Sequence, residues 1–176
     1  TGGPELEANI AASAMAQFEL GHARVLRGVL GDLREDPRDE SRDTDRGAWF
    51  SIGSLDRPFA DWVDLVVGNA LVDTLLTVNL RAALAGNYYP LTQRLRKVLA
   101  EEEYHSVHAG AWVGRLASGP PAIVERLNEV TAAVWPHCIA WFGPNSDNEL
   151  DELHDAKILT DGAADLRDRY IETVSP

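Results

Sequence analysis

Leu99-Ala100-Glu101-Glu102-Glu103-Tyr104-His105 decides how this chain is read, because it sets a carboxylate and an imidazole three residues apart beside an apolar run. On a helix that spacing puts both side chains on one face, one turn apart. The chain repeats the arrangement in Gln17-Phe18-Glu19-Leu20-Gly21-His22. Two Glu-x-x-His pairs on facing helices are half of a carboxylate-bridged dimetal site, which the ferritin-like arrangement completes with a lone carboxylate from each of two further helices.

Taken singly, either pair reads as a surface contact or a helix salt bridge. Its surroundings argue otherwise. Ala14, Phe18, Leu20 and Val25 flank the first pair, and Val98, Leu99, Tyr104 and Val107 flank the second. A carboxylate and an imidazole in an apolar stretch are costly unless something pairs with them. A metal does so, and hard bridging carboxylates with neutral imidazoles suit iron. A third helix should offer one carboxylate. Asp73, in Ala70-Leu71-Val72-Asp73-Thr74-Leu75-Leu76, is that candidate; the plainer alternative is a buried Asp bonded to Thr77 or to backbone. Asp64 is expected to orient a ligating imidazole. His108, three residues after His105, leaves a mononuclear site conceivable.

These positions lie on long helical patterns. Pro4 opens one that runs to about residue 30, with Leu6, Ile10, Ala14, Leu20, Val25 and Val29 as its apolar positions and Gly31 as its stop. Others are expected at 58–86, ended by Gly86-Asn87; from Pro90 to Leu116; at 121–142, kinked at Pro136; and, short, at 162–172. Residues 32–57 hold a mixed-charge loop, after which Trp49-Phe50-Ser51-Ile52 should tuck back onto the bundle. Residues 143–176 read as a turn and a short helix. No alternation at period two occurs, so the expectation is an all-α, up-and-down, ferritin-like bundle forming one domain over 1–176.

A chain of 176 residues, 45% hydrophobic and 25% charged, can bury a core of its own. Its net charge of −12 disfavours nucleic acid and anionic membranes as partners. No apolar run reads as a membrane span. The single Cys138 excludes an internal disulfide and a Cys-rich metal site, and fits a reducing cytoplasm. The abrupt ends, Thr1-Gly2-Gly3 and Ser175-Pro176, suggest an excerpt of a longer chain.

Four segments carry a resemblance. Gln17-Phe18-Glu19-Leu20-Gly21-His22, Trp62-Val63-Asp64 with Leu71-Val72-Asp73, Glu101-Glu102-Glu103-Tyr104-His105 and Phe142-Gly143-Pro144-Asn145-Ser146-Asp147-Asn148 are similar to the catalytic subunit of the phenylacetyl-CoA ring-epoxidising oxygenase, in register from Pro4 to Pro176. The resemblance implies a non-haem di-iron bundle fed electrons by a separate reductase. Such a bundle activates O2 and epoxidises or hydroxylates the ring of an aromatic acyl-CoA beside a related helical-bundle subunit. It implies Glu19, His22, Asp73, Glu102 and His105 as iron ligands, with Glu19 and Glu102 at the heart of catalysis. Gln17 and Asn79 match positions near the substrate channel. Two departures stand out. The family has an upstream helix with a further Glu ligand, which is absent from this sequence. Met15 stands where the family has a Lys near the CoA. Two other readings fit the same residues: a metal-free structural subunit of the same oxygenase, and a ferritin-like protein that handles iron or peroxide.

Overall fold

The computed structural model describes residues 2–33, 51–144 and 149–175. The described residues form an all-α bundle of the ferritin-like kind, with no strand. Its helices are α1 (Leu6–Leu33), α2 (Trp62–Gly68), α3 (Thr74–Leu84), α4 (Tyr89–Ala117), α5 (Pro121–Trp141), α6 (Glu149–Asp155) and α7 (Ala163–Val174). A single π-helical turn, Asn69–Asp73, joins α2 to α3 without interrupting the helical path.

Contacts between side chains fix the directions of the central helices. Glu5 meets Arg115, whereas His22 meets Glu101, so α1 and α4 run antiparallel. Thr77 meets Glu102 and Asp73 meets His105, so α3 and α4 do too. The core lies where α2, α3, α4, α5 and α7 converge, on Val66, Leu75, Leu95, Val134, Leu166 and Tyr170, all at most 2% exposed. Full burial of each leucine there contributes about 1.5–3 kcal/mol. Cys138 is wholly buried among them, as a core residue.

Several boundaries differ from expectation, each for a physical reason. The helix expected from residue 58 starts at Trp62, because Asp61 caps it. The Asp61 carboxylate accepts the Asp64 N–H at 2.8 Å, and Asp64 reaches back to accept the Ala60 N–H at 2.8 Å. α5 runs unbroken through Pro136. Pro136 and Ala132, whose carbonyl loses its N–H partner, both lie on the exposed side, where water can serve it. α6 lies outside the expected helices; it is only seven residues long and buries none, so it carries no periodic signal. Beyond the end of α3, Gly86 is required by a close approach: a Cβ there would stand 2.0 Å from the Ile158 carbonyl oxygen.

The apolar positions read along α1 do not all face the core. Val29 is buried, but Leu6, Ile10 and Leu20 are 69%, 60% and 54% exposed. The helix packs chiefly against α4, and the face it turns inward carries Ala8, His22 and Val29. The expectation that no stretch could span a membrane also needs correction. Trp62–Leu84 passes on length and composition, with a mean hydropathy of 1.4, yet half of that stretch is buried within the bundle. Most of the loop read at 32–57 lies outside the described residues, as do Trp49, Phe50 and the end of the turn at 145–148. Ile52 is buried against the core, and Gly53–Leu55 forms a 3-10 turn.

Candidate metal centre

Three helices bring the ligand candidates together. α1 presents Glu19 and His22, α4 presents Glu102 and His105, and the π turn presents Asp73 at its last position. Single π turns inside helices are frequent at functional sites, because one extra residue re-aims the side chains that follow. The Asp73 carboxylate accepts a short hydrogen bond from the Asn69 amide across that turn.

Glu19, Asp73, Glu102 and His105 each offer a donor atom, and all four atoms lie within 4.8 Å of one another. His22 joins them, with Nδ1 3.1 Å from Glu102 Oε1 and 3.8 Å from Glu19 Oε1. His105 Nδ1 stands 3.1 Å from Glu19 Oε1, 3.2 Å from Asp73 Oδ2 and 3.8 Å from Glu102 Oε1. Both imidazoles therefore turn Nδ1 toward the same carboxylates. One Nδ1 proton can serve only one acceptor, and Glu19 Oε1 is buried with no hydrogen-bond partner among the described residues. Acceptors crowd the centre faster than protons can satisfy them. A cation would serve them all, and the hard oxygen and imidazole donors fit iron.

The electrostatics agree. Burial pushes the Glu102 carboxyl up to about 7, and the charges of Asp73 and Glu19 push the same way. Burial also holds Asp73 above its ordinary range, only partly offset by the hydrogen bond with His105. For His105 burial alone would favour the neutral ring, but the carboxylates of Asp73, Glu19 and Glu102 outweigh it and lift the imidazole to about 10. Left to itself, the cluster holds extra protons to soften like-charge repulsion. Bound metal would displace them.

The structure does not give Asp64 the role expected of it. Its carboxylate pairs with Arg57, Oδ2 to Nη1 at 2.5 Å and Oδ1 to Nη2 at 3.0 Å, and makes no contact with an imidazole among the described residues. The orienting carboxylate is Glu101, whose Oε2 lies 2.9 Å from His22 Nε2. Burial opposes ionisation of Glu101, but the His22 hydrogen bond and the Lys97 ammonium 3.4 Å away keep its carboxyl below the usual range. An ionised carboxylate only accepts, so His22 donates Nε2–H to Glu101 and presents Nδ1 to Glu102. The run of three glutamates concealed this. Only the helical phase, with Glu102 inward and Glu101 one step round toward α1, tells them apart. His108 does not join the cluster; its ring lies against Trp62 and Trp112, with both nitrogens unpartnered among the described residues.

A cavity of about 400 Å³ opens beside the cluster, between α3, α4, α5 and α7. Asp73, Thr77 and Glu102 stand in its wall, with Ala70, Leu71, Val113 and Leu127 among its apolar lining. Gln17 and Asn79 do not line it. Gln17 is exposed on α1, and the Asn79 amide donates to the Leu75 carbonyl. No curated protein matches the chain. The model of one family does, over residues 1–176, and with helices and cluster in place its meaning is direct: the chain belongs to the phenylacetic acid catabolic proteins, and its work lies in phenylacetate catabolism.

Proposed function

We propose that the chain is the oxygen-activating subunit of a di-iron monooxygenase, one that epoxidises or hydroxylates the ring of an aromatic acyl-CoA or a related aromatic acid. The observation that carries the reading is the convergence of Glu19, Asp73, Glu102 and His105 within 4.8 Å, with His22 Nδ1 3.1 Å from Glu102. Glu19 and Glu102 lie near both imidazoles, and together with His22, His105 and Asp73 they would hold the metal. When bound, the two irons would supply the reduction of O2, with electrons from a separate reductase.

The chain's own residues have narrower tasks. Glu101 holds His22 in the tautomer that leaves Nδ1 free to bind. Thr77 donates a hydrogen bond to Glu102 Oε2 at 3.3 Å and steadies that carboxylate. The apolar lining beside Asp73 and Glu102 excludes water and offers an aromatic ring a surface to lie on. Intact donors at five positions support an active subunit over a scaffold, which has no use for buried Glu and His.

The test is iron per chain in protein from iron-supplemented cells, followed by turnover of phenylacetyl-CoA under 18O2 with a reductase. About two irons and one labelled atom in the organic product are expected. Protein that stays iron-free under these conditions, or full iron loading with no labelled product, would sink the reading.

A further inference from the structure

Arg81 is the one cation among the described residues that line the cavity beside the cluster. It is exposed, and its guanidinium forms no ion pair or hydrogen bond among the described residues. It follows Asp73 by eight positions and shares the cavity-facing side of α3 with Thr77. At 1.5 Å per residue that is roughly 12 Å along the helix axis. In the other direction from Asp73 the wall carries no charge and is mostly apolar, through Leu71, Ala70, Asn69 and Val67. Asp73 and Glu102 thus stand between an apolar end and a cationic end.

A free guanidinium here answers a specific difficulty. The chain carries a net charge of −12, and Asp73, Glu102 and Glu103 all line the cavity. An anionic ligand would be repelled without a local countercharge. The planar fork of Arg matches the paired oxygens of a carboxylate or phosphate, and costs less to desolvate than an ammonium.

We propose that Arg81 is the anion anchor of the cavity: it binds the oxyanion of an aryl acid or of an aryl-acyl conjugate and so sets the ring beside Asp73 and Glu102. The proposal names the substrate class of the same site and rests on reading the cluster as the reacting centre. A volume of about 400 Å³ holds an aromatic ring with a short chain. A phosphate carried on a larger conjugate would reach Arg81 from the open side, where that residue is exposed.

Isothermal titration of phenylacetate, phenylacetamide and phenylacetyl-CoA against wild type, Arg81→Met and Arg81→Lys tests this, with iron content and circular dichroism measured on the same samples. Arg81→Met should weaken phenylacetate about tenfold while leaving the neutral amide unchanged, and Arg81→Lys should recover part of the loss. Loss confined to phenylacetyl-CoA would still support the anchor and identify its ligand as phosphate. Equal affinities of all three ligands in wild type and Arg81→Met, equal losses for acid and amide, or no binding of any of the three to wild type would each overturn it. The iron readings keep the two ideas apart. Protein that holds no iron yet loses affinity for an anionic ligand on Arg81→Met retains the anchor and loses the metal centre; iron-loaded protein in which Arg81→Met changes no affinity does the reverse.

Discussion

His22 and His105 occupy matching places on antiparallel helices, each three residues after a glutamate, yet the protein holds them by different means. His22 is fixed from behind by the ionised Glu101 carboxylate, 2.9 Å from Nε2. His105 has no polar partner at Nε2 among the described residues; the Phe18 ring stacks on it, with centroids 5.8 Å apart and planes 29° from parallel. The sequence positions correspond: Glu101 precedes Glu102 and serves the other helix's imidazole, and Phe18 precedes Glu19 and does likewise. One half of the centre is tuned by charge, the other by shape. A carboxylate behind an imidazole raises its basicity as a ligand, while an aromatic ring only limits how it turns. Metal bound at the His22 half should therefore be held more tightly than metal at the His105 half.

The largest effect should come from removing what the halves share. Glu102 Oε1 lies 3.1 Å from His22 Nδ1 and 3.8 Å from His105 Nδ1. Glu102→Ala should cut iron content to below half of wild type, with helical content by circular dichroism nearly unchanged. Wild-type iron loading in this variant would mean that the two halves do not depend on a common carboxylate.

A smaller and more pointed effect should separate them. Glu101→Gln keeps the shape but loses the charge behind His22, and should weaken the tighter phase of metal binding by roughly 10- to 100-fold. Phe18→Leu keeps apolar bulk but loses the stacked ring, and should weaken the looser phase only a few-fold. Stepwise titration with cobalt, read by its visible absorption, distinguishes the phases. Equal losses in both variants would erase the difference between the halves.

How much of this was legible beforehand depends on whether a residue's role is set by its own helix or by its neighbour. Glu19/His22 and Glu102/His105 could be found because a spacing of three is enforced by the helix that carries both members. Asp73 stood out as a carboxylate in an apolar run, though the π turn that aims it leaves no mark at the level of periodicity. Glu101 and Asp64 are the contrasting cases. Each lies next to, or within a turn of, apolar positions, and which one faces an imidazole is decided by how α1 and α2 pack on their partners. The same cause separates pattern from burial on α1. Leu6, Ile10 and Leu20 sit at helical spacing, but burial requires a neighbour on that side, and spacing alone cannot supply one.

Asp64 provides the smallest expected change at the metal centre, and with it a control on everything above. It is 1% exposed and is tied to Arg57 and to the Ala60 N–H at the start of α2. The hydrogen bond from Arg57 holds its carboxyl below the usual range, against the effect of burial. A depressed folded value stabilises the protein fully above the unfolded value of about 3.9, and the contribution fades as pH falls through the folded value. Asp64→Asn should thus cost about 1–3 kcal/mol at pH 7, toward the lower figure because half of the Arg57 side chain remains in water. In thermal melts the gap from wild type should hold steady from pH 7 to about 5 and narrow below about 4. Iron content should not move, since no imidazole depends on this carboxylate. A drop in iron comparable to that of Glu101→Gln would show that the start of α2 is coupled to the cluster through the π turn, and the division of the centre into two halves would then have to include a third.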